Sequence, residues 1–239
     1  MTVRLLVILG AGPGIGLATA SHFASEGFDI ALLSRNTDRL RNDVATVQKI
    51  APNVKVQAFP VDVGDHVALK KALEKVETEM GIPEVVYYNA ARVAPSKIGE
   101  TSPEYILDDF KSMNIGMYVA ATWALPHLTS IAQKPDRHAS FLFGNSGIYE
   151  FPISDFFCLS MQKAAQTNFA GSLSQIAGPK GIHVGSVNIG GVVSDDDPDM
   201  NAKLIASKIW ELYSQDKDHW TAEVKVGDIR DLIKKMSGQ

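Results

Sequence analysis

Cysteine is almost missing from this chain: Cys158 is the only one among 239 residues. No internal disulfide can form, and the composition does not call for an oxidising compartment. An excess of charge of one sign is missing too. Twenty-three lysines and arginines face 27 aspartates and glutamates, a formal net charge of −4, so neither nucleic acid nor an anionic membrane is expected as a partner. No apolar run is long enough to span a bilayer, and no cleavable leader precedes the first apolar segment. Internal repeats, low-complexity tracts and interdomain linkers are absent as well. What remains is the profile expected of a soluble cytoplasmic globule, 45% apolar and 21% charged, with residues 1–239 forming one domain.

Glycine is what the chain does have, and it is concentrated near the start. The apolar run Val3 to Leu9 leads into Gly10-Ala11-Gly12-Pro13-Gly14-Ile15-Gly16, and helical spacing follows from Leu17. A strand, a glycine turn and a helix in that order suit a dinucleotide pyrophosphate. Glycines let the backbone bend and approach the phosphates, while the N–H groups of the helix start point at the anion. The spacing predicts further elements in alternation. Phe28–Ser34 reads as a strand, Thr37–Ile50 as a helix, Val54–Val61 as a strand, and a helix capped by Asp65 ends at Gly81. Glu84–Tyr88 is the fourth strand. A long helix starts at Pro103 behind Ser102 and runs past Asn114 to about Leu125, ahead of a polar loop at 133–138. Ala139–Asn145 is a strand that delivers Ser146, a helix over Asp155–Ala177 carries Lys163, and Gly181–Asn188 is the sixth strand. A helix to Tyr213, a short strand near Ala222–Val226 and a final helix close the chain.

Strands that alternate with helices and are apolar nearly throughout predict a single-domain Rossmann α/β fold. Its sheet would be doubly wound, mostly parallel, of about seven strands, with helices on both faces. Ligands of such sheets bind beyond the carboxyl ends of the strands. The glycine turn, Arg35, Asp62, Asn89, Ser146 and Gly191 all fall just past strand ends.

These residues resemble the short-chain dehydrogenase/reductase family over essentially the whole chain. Gly10, Gly14 and Gly16 match its glycine turn, with Leu9 where that turn usually begins with threonine. Asp62-Val63 matches the acidic pair that contacts adenine. Asn89-Ala90 matches the middle of the Asn-Asn-Ala-Gly signature, Tyr88 and Ala91 replacing its outer residues. Asn114 stands at the structural and proton-relay asparagine, Ser146 at the catalytic serine, and Lys163 at the lysine of Tyr-x-x-x-Lys. Gly190-Gly191 stands where the family has Pro-Gly. The resemblance implies a cofactor site of Gly10, Gly14, Ile15, Gly16, Arg35, Asp62, Val63, Asn89, Ala90, Lys163, Gly191 and Val193. It implies a substrate lid over 192–213 and a homodimer or homotetramer paired through the long helices.

One departure carries more weight than the matches. The tyrosine of Tyr-x-x-x-Lys would stand at Leu159, and the alternative tyrosine of related enoyl reductases at Phe156. In the family mechanism that tyrosine protonates the developing alkoxide, its pKa of about 10 lowered by the lysine ammonium. Losing a general acid typically removes about 10² to 10⁴ in rate. The candidate catalytic set is therefore Ser146, Lys163, Asn114 and, as the nearest tyrosine to Ser146, Tyr149, which reads more readily as a pocket-wall aromatic. Arg35 follows the second strand where an NAD site would have an acid, so NADP(H) is expected ahead of NAD(H). The acidic run Asp195 to Asp199 reads as solvated carboxylates before a helix, and no metal is expected. The function this supports is NADP(H)-dependent reduction of a small-molecule carbonyl, imine or activated alkene. A non-redox isomerase or cyclase holding NADP, and a nucleotide-binding module without catalysis, are the alternatives.

Overall fold

A computed structural model describes residues 3–237. Its strands are β1 (Leu5–Leu9), β2 (Asp29–Ser34), β3 (Val56–Pro60), β4 (Val85–Tyr88), β5 (Ser140–Asn145), β6 (His183–Ile189) and β7 (Glu223–Val226). The α-helices are α1 (Ile15–Ser25), α2 (Thr37–Ile50), α3 (His66–Met80), α4 (Pro103–Phe110), α5 (Gly116–Ala132), α6 (Phe157–Ala177), α7 (Ala202–Tyr213) and α8 (Ile229–Ser237). The strands form one sheet in the order β3-β2-β1-β4-β5-β6-β7, and every pairing is parallel. The chain winds outward from β1 to β3, then returns to the other side of β1 as β4. That reversal opens a crevice at the carboxyl ends of β1 and β4.

The two-residue period of the strands divides the core. Leu5, Val7 and Leu9 pack with α3, α5 and α6 residues on one face, whereas Leu6 and Ile8 pack with those of α1, α2 and α7 on the other. Helix starts follow local chemistry. The side chains of Asn36, Asp65, Ser102 and Asn201 each accept a backbone N–H in the first turn of α2, α3, α4 and α7.

Two expectations are corrected by this packing. The helix predicted to stop near Leu125 runs through Pro126 to Ala132, because Ala124, Leu128 and Ile131 continue its buried stripe. It also does not run regularly from Pro103. Lys111–Ile115 forms a π turn between α4 and α5, and Asn114 lies inside it. The segment 192–213, expected as a lid, holds α7 in its second half. Ile205, Ile209, Leu212 and Tyr213 of α7 are buried, and Trp210 sits edge-on to Phe23 of α1 at 4.9 Å.

The amino ends of the strands are tied together by one carboxylate. Glu84, 1% exposed, accepts hydrogen bonds from Arg4 at 3.0 and 3.2 Å, from the Tyr213 hydroxyl at 2.7 Å and from Arg137. Burial alone would raise the pKa of this carboxyl. The bonds from Arg4, Tyr213 and Arg137 outweigh burial and hold it below the usual carboxylate range. Removing the anion leaves Arg4 and Arg137 competing in a partly dry site, so Glu84→Ala is expected to cost about 3–5 kcal/mol in urea unfolding. A loss of under about 1 kcal/mol would show that the cluster does not carry this load.

Candidate functional site

Two glycines of the turn are required by close backbone approach. Gly10 sits at φ +83°, and a Cβ there would lie 2.4 Å from the Ala90 backbone N. A Cβ at Gly16 would come within 3.1 Å of the Ala11 Cα, which sets how tightly α1 closes on the turn. The N–H groups of Gly10 and Ala11 both donate to the Leu33 carbonyl at 3.0 Å, joining the turn to β2. The Asn89 amide donates to the Gly10 carbonyl at 3.1 Å, and its oxygen accepts the Tyr87 hydroxyl at 3.2 Å. Gly14 meets nothing within 4 Å. It opens α1, whose first turn has neither a side-chain cap nor an acidic residue; the Leu17 N–H donates to the Gly12 carbonyl at 2.9 Å, and the Ile15 and Gly16 N–H groups meet no side-chain acceptor.

Beside this turn lies a cavity of about 490 Å³. It gathers Gly10, Arg35, Asp62, Val63, Asn89 and Ala90 from the expected site, and it adds Ser34, Arg39, Arg92 and Ser112. The Arg35 side chain is 74% exposed and reaches Asp62 Oδ2 at 3.9 Å. Asp62 Oδ1 accepts the Gly64 N–H at 2.9 Å, which fixes that carboxylate at the cavity rim. Arg39 was not anticipated; it stands in the first turn of α2, whose cap Asn36 directly follows Arg35. Its Nη2 donates to the Ala11 carbonyl at 2.8 Å and the Ser34 hydroxyl at 2.7 Å. Its Nε is buried without a hydrogen-bond partner, 3.8 Å from Asp43 Oδ2.

The expected catalytic residues lie outside that cavity, at the carboxyl end of β5 and against α6. Leu159 is buried with Met113 and Ile148, and Ile153 and Phe156 pack on the same cluster. The position matched to a tyrosine is therefore part of an apolar patch. Lys163 is 6% exposed, and its Nζ donates to the Gly144 carbonyl at 2.6 Å and to Gln166 Oε1 at 3.0 Å. Gln166 in turn donates to the Met113 carbonyl at 2.7 Å, and Gln162 Oε1 accepts the Asn114 amide at 2.7 Å. Two glutamines on successive turns of α6 thus grip the π turn that carries Asn114, supplying partners that its irregular backbone needs. Ser146 stands at the start of a short 3₁₀ turn, partly exposed. The Tyr149 hydroxyl points away toward β7, donating to Glu223 at 3.3 Å; burial and that carboxylate raise its pKa and make it a reluctant acid.

The remaining expected residues are spread along the same edge. Ile15 and Val193 are partly buried against the α1 side of the core. Gly190 lies under the backbone of Asp228 and Ile229, and a Cβ at Gly191 would meet Met200 at 2.9 Å. Within the acidic run, the Asp197 carboxylate accepts the Asp199 N–H at 2.9 Å. Among the described residues no group of three His, Cys, Asp or Glu side chains could hold a metal ion, and no helix is long and apolar enough to cross a membrane.

The family model for the short chain dehydrogenase matches residues 4–205, most of the chain. The chain belongs to the short-chain dehydrogenase family. It is 33% identical over 129 residues to meso-2,3-butanediol dehydrogenase of Serratia marcescens, covering 52% of this chain and 48% of that one. The chain thus spans about half the length of the curated relatives it matches first. L-sorbose reductase of Gluconobacter frateurii, solved with NADPH and L-sorbose, superposes with a TM-score of 0.84 at 20% identity, over 95% of this chain and 96% of that one. An NADPH-bound short-chain oxidoreductase of Pseudomonas aeruginosa PAO1, described as containing an atypical catalytic center, gives 0.83 at 21% identity, over 93% and 95%. At these identities the two structures speak to the short-chain dehydrogenase fold.

Burial holds the Lys163 ammonium down at about 7, against ~10.4 for an exposed lysine. Between those values the unfolded chain binds more protons than the folded one. The penalty is full below the folded value and is lifted as pH rises through the window. The unfolding free energy of the native chain, less that of Lys163→Met, is therefore expected to rise from about pH 7 to pH 10. A flat difference across that range would mean that the ammonium is not held in a dry site.

Proposed function

We propose that this protein is an NADP(H)-dependent oxidoreductase that reduces a small-molecule carbonyl, imine or activated alkene, with a proton donor other than the family's tyrosine. One observation carries the reading: Arg35 and Arg39 meet the glycine turn in a single cavity at the sheet's reversal point. The residues present fit a dinucleotide. Gly10 has its Cβ space filled by the neighbouring strand, Gly14 leaves the start of α1 open, and Arg39 keeps a buried N–H without an acceptor. Asp62 and Val63 would flank the adenine, and Arg35 and Arg39 would face a 2′-phosphate through charge-assisted bonds. When bound, the nicotinamide supplies hydride, and the protein orients what receives it.

The chain's own residues then account for positioning and for the proton. Lys163 uses two of its three N–H bonds on Gly144 and Gln166, leaving one for a ribose hydroxyl or a water. Asn114 is fixed through its amide nitrogen by Gln162, which leaves its oxygen as an acceptor. A water between Lys163, Asn114 and Ser146 is the proton source that best suits these contacts, because Tyr149 is committed to Glu223. Leu107, Phe110, Tyr118 and Met161 on α4, α5 and α6 are exposed apolar side chains and suit pairing of subunits through these helices.

Fluorescence titration tests the cofactor half of the proposal. NADPH is expected to bind at least about tenfold more tightly than NADH, and Arg35→Ala should erase that preference while leaving NADH unchanged. Equal affinities in the native chain would sink it. Leu159→Tyr tests the reaction half: restoring a phenol should raise turnover across a panel of carbonyls by about 10² to 10⁴. NADPH bound tightly but never oxidised, by either the native chain or the tyrosine variant, would move the protein to the non-redox or non-catalytic readings.

A further inference from the structure

Arg92 lines the same cavity as Arg35 and Arg39, and nothing above gives it a role. It lies two residues beyond Ala90, and Asn89-Ala90 is the segment pressed against Gly10. The loop that carries Arg92 is therefore adjacent to the glycine turn. Its guanidinium is fixed from behind. Nε lies 3.1 Å from Asp109 Oδ1 on α4, and the guanidinium carbon sits 4.4 Å over the Tyr105 ring. Asp109 is almost fully buried, and its second oxygen accepts the Cys158 thiol at 3.2 Å. A carboxylate that dry is tolerated because the guanidinium neutralises it, and the same pairing holds the planar fork in one orientation. The side chain nevertheless keeps 39% of its surface open.

Charge says what the open part of that fork faces. No lysine or arginine occurs from Leu5 through Gly27, so the glycine turn and α1 offer an anion backbone dipoles and no cation. Arg39 reaches the turn, but its Nη2 is spent on the Ala11 carbonyl and the Ser34 hydroxyl, and Arg35 leans toward Asp62. To the guanidinium that Arg39 brings to the turn, Arg92 would add one from the β4 side with 39% of its side chain open. We infer that Arg92 is a cofactor-binding residue that reaches the pyrophosphate from the β4 side, opposite the start of α1. The inference rests on the dinucleotide reading given above and assigns the third arginine within it.

The test is calorimetric binding of three ligands, NADPH, NADH and 2′-AMP, to the native chain and to Arg92→Gln. Both dinucleotides share the pyrophosphate and should weaken together by about tenfold to a hundredfold, whereas 2′-AMP, which has none, should bind unchanged. Arg92→Gln strands a buried carboxylate, so Arg92→Gln with Asp109→Asn is measured beside it to keep a folded comparison if the single variant melts. Dinucleotide affinities unchanged in a folded variant would overturn the inference, as would a loss shared equally by 2′-AMP. A native chain that binds neither dinucleotide overturns the cofactor reading itself. A preference for NADPH that survives alongside an indifferent Arg92 overturns only this assignment.

Discussion

The contact between the first glycine turn and the end of β4 is the constraint on which the site depends. Gly10 adopts a left-handed backbone, and the Ala90 amide fills the space where a side chain would be. From that contact the crevice at the sheet's reversal follows. Asn89 is locked between Gly10 and Tyr87, the start of α1 is left open, and the loop after β4 is delivered to the cavity. No hydrogen bond of ordinary strength is as difficult to replace as a backbone approach that excludes every Cβ.

Much of this was legible in the residues because it is local. Strand runs with two-residue alternation, caps such as Asp65 and Ser102, and glycines just past strand ends place themselves without tertiary information. The parallel sheet with helices on both faces followed from βαβ logic. What could not be read was what a neighbour decides. The helix expected to stop near Leu125 continues past Pro126, because the buried stripe runs on through Leu128 and Ile131. The aromatic packing that joins α7 to α1, Trp210 and Tyr213 on Phe23, also has no local signal. Arg39 and Arg92 carry no motif, and only the folded chain shows that both arrive at the same cavity as Arg35.

Around α6 the packing is apolar on one side and polar on the other. Where the family pattern has a phenol, Leu159 joins Met113 and Ile148, and the apolar cluster extends to Phe156 and Ile153. Lys163 has no phenol beside it and is instead satisfied by Gly144 and Gln166. The π turn around Asn114 survives because Gln162 and Gln166 hold it from α6.

The carboxylate cluster at Glu84 has a consequence for how such a protein can diverge. Its partners Arg4, Arg137 and Tyr213 gather at the amino rim of the sheet, while the cavity and α6 contacts occupy the carboxyl rim. Cohesion and chemistry draw on opposite rims of the same strands. A lineage can therefore graft a new pocket onto the far edge, even discard a reacting side chain, without loosening the joint that keeps the sheet closed.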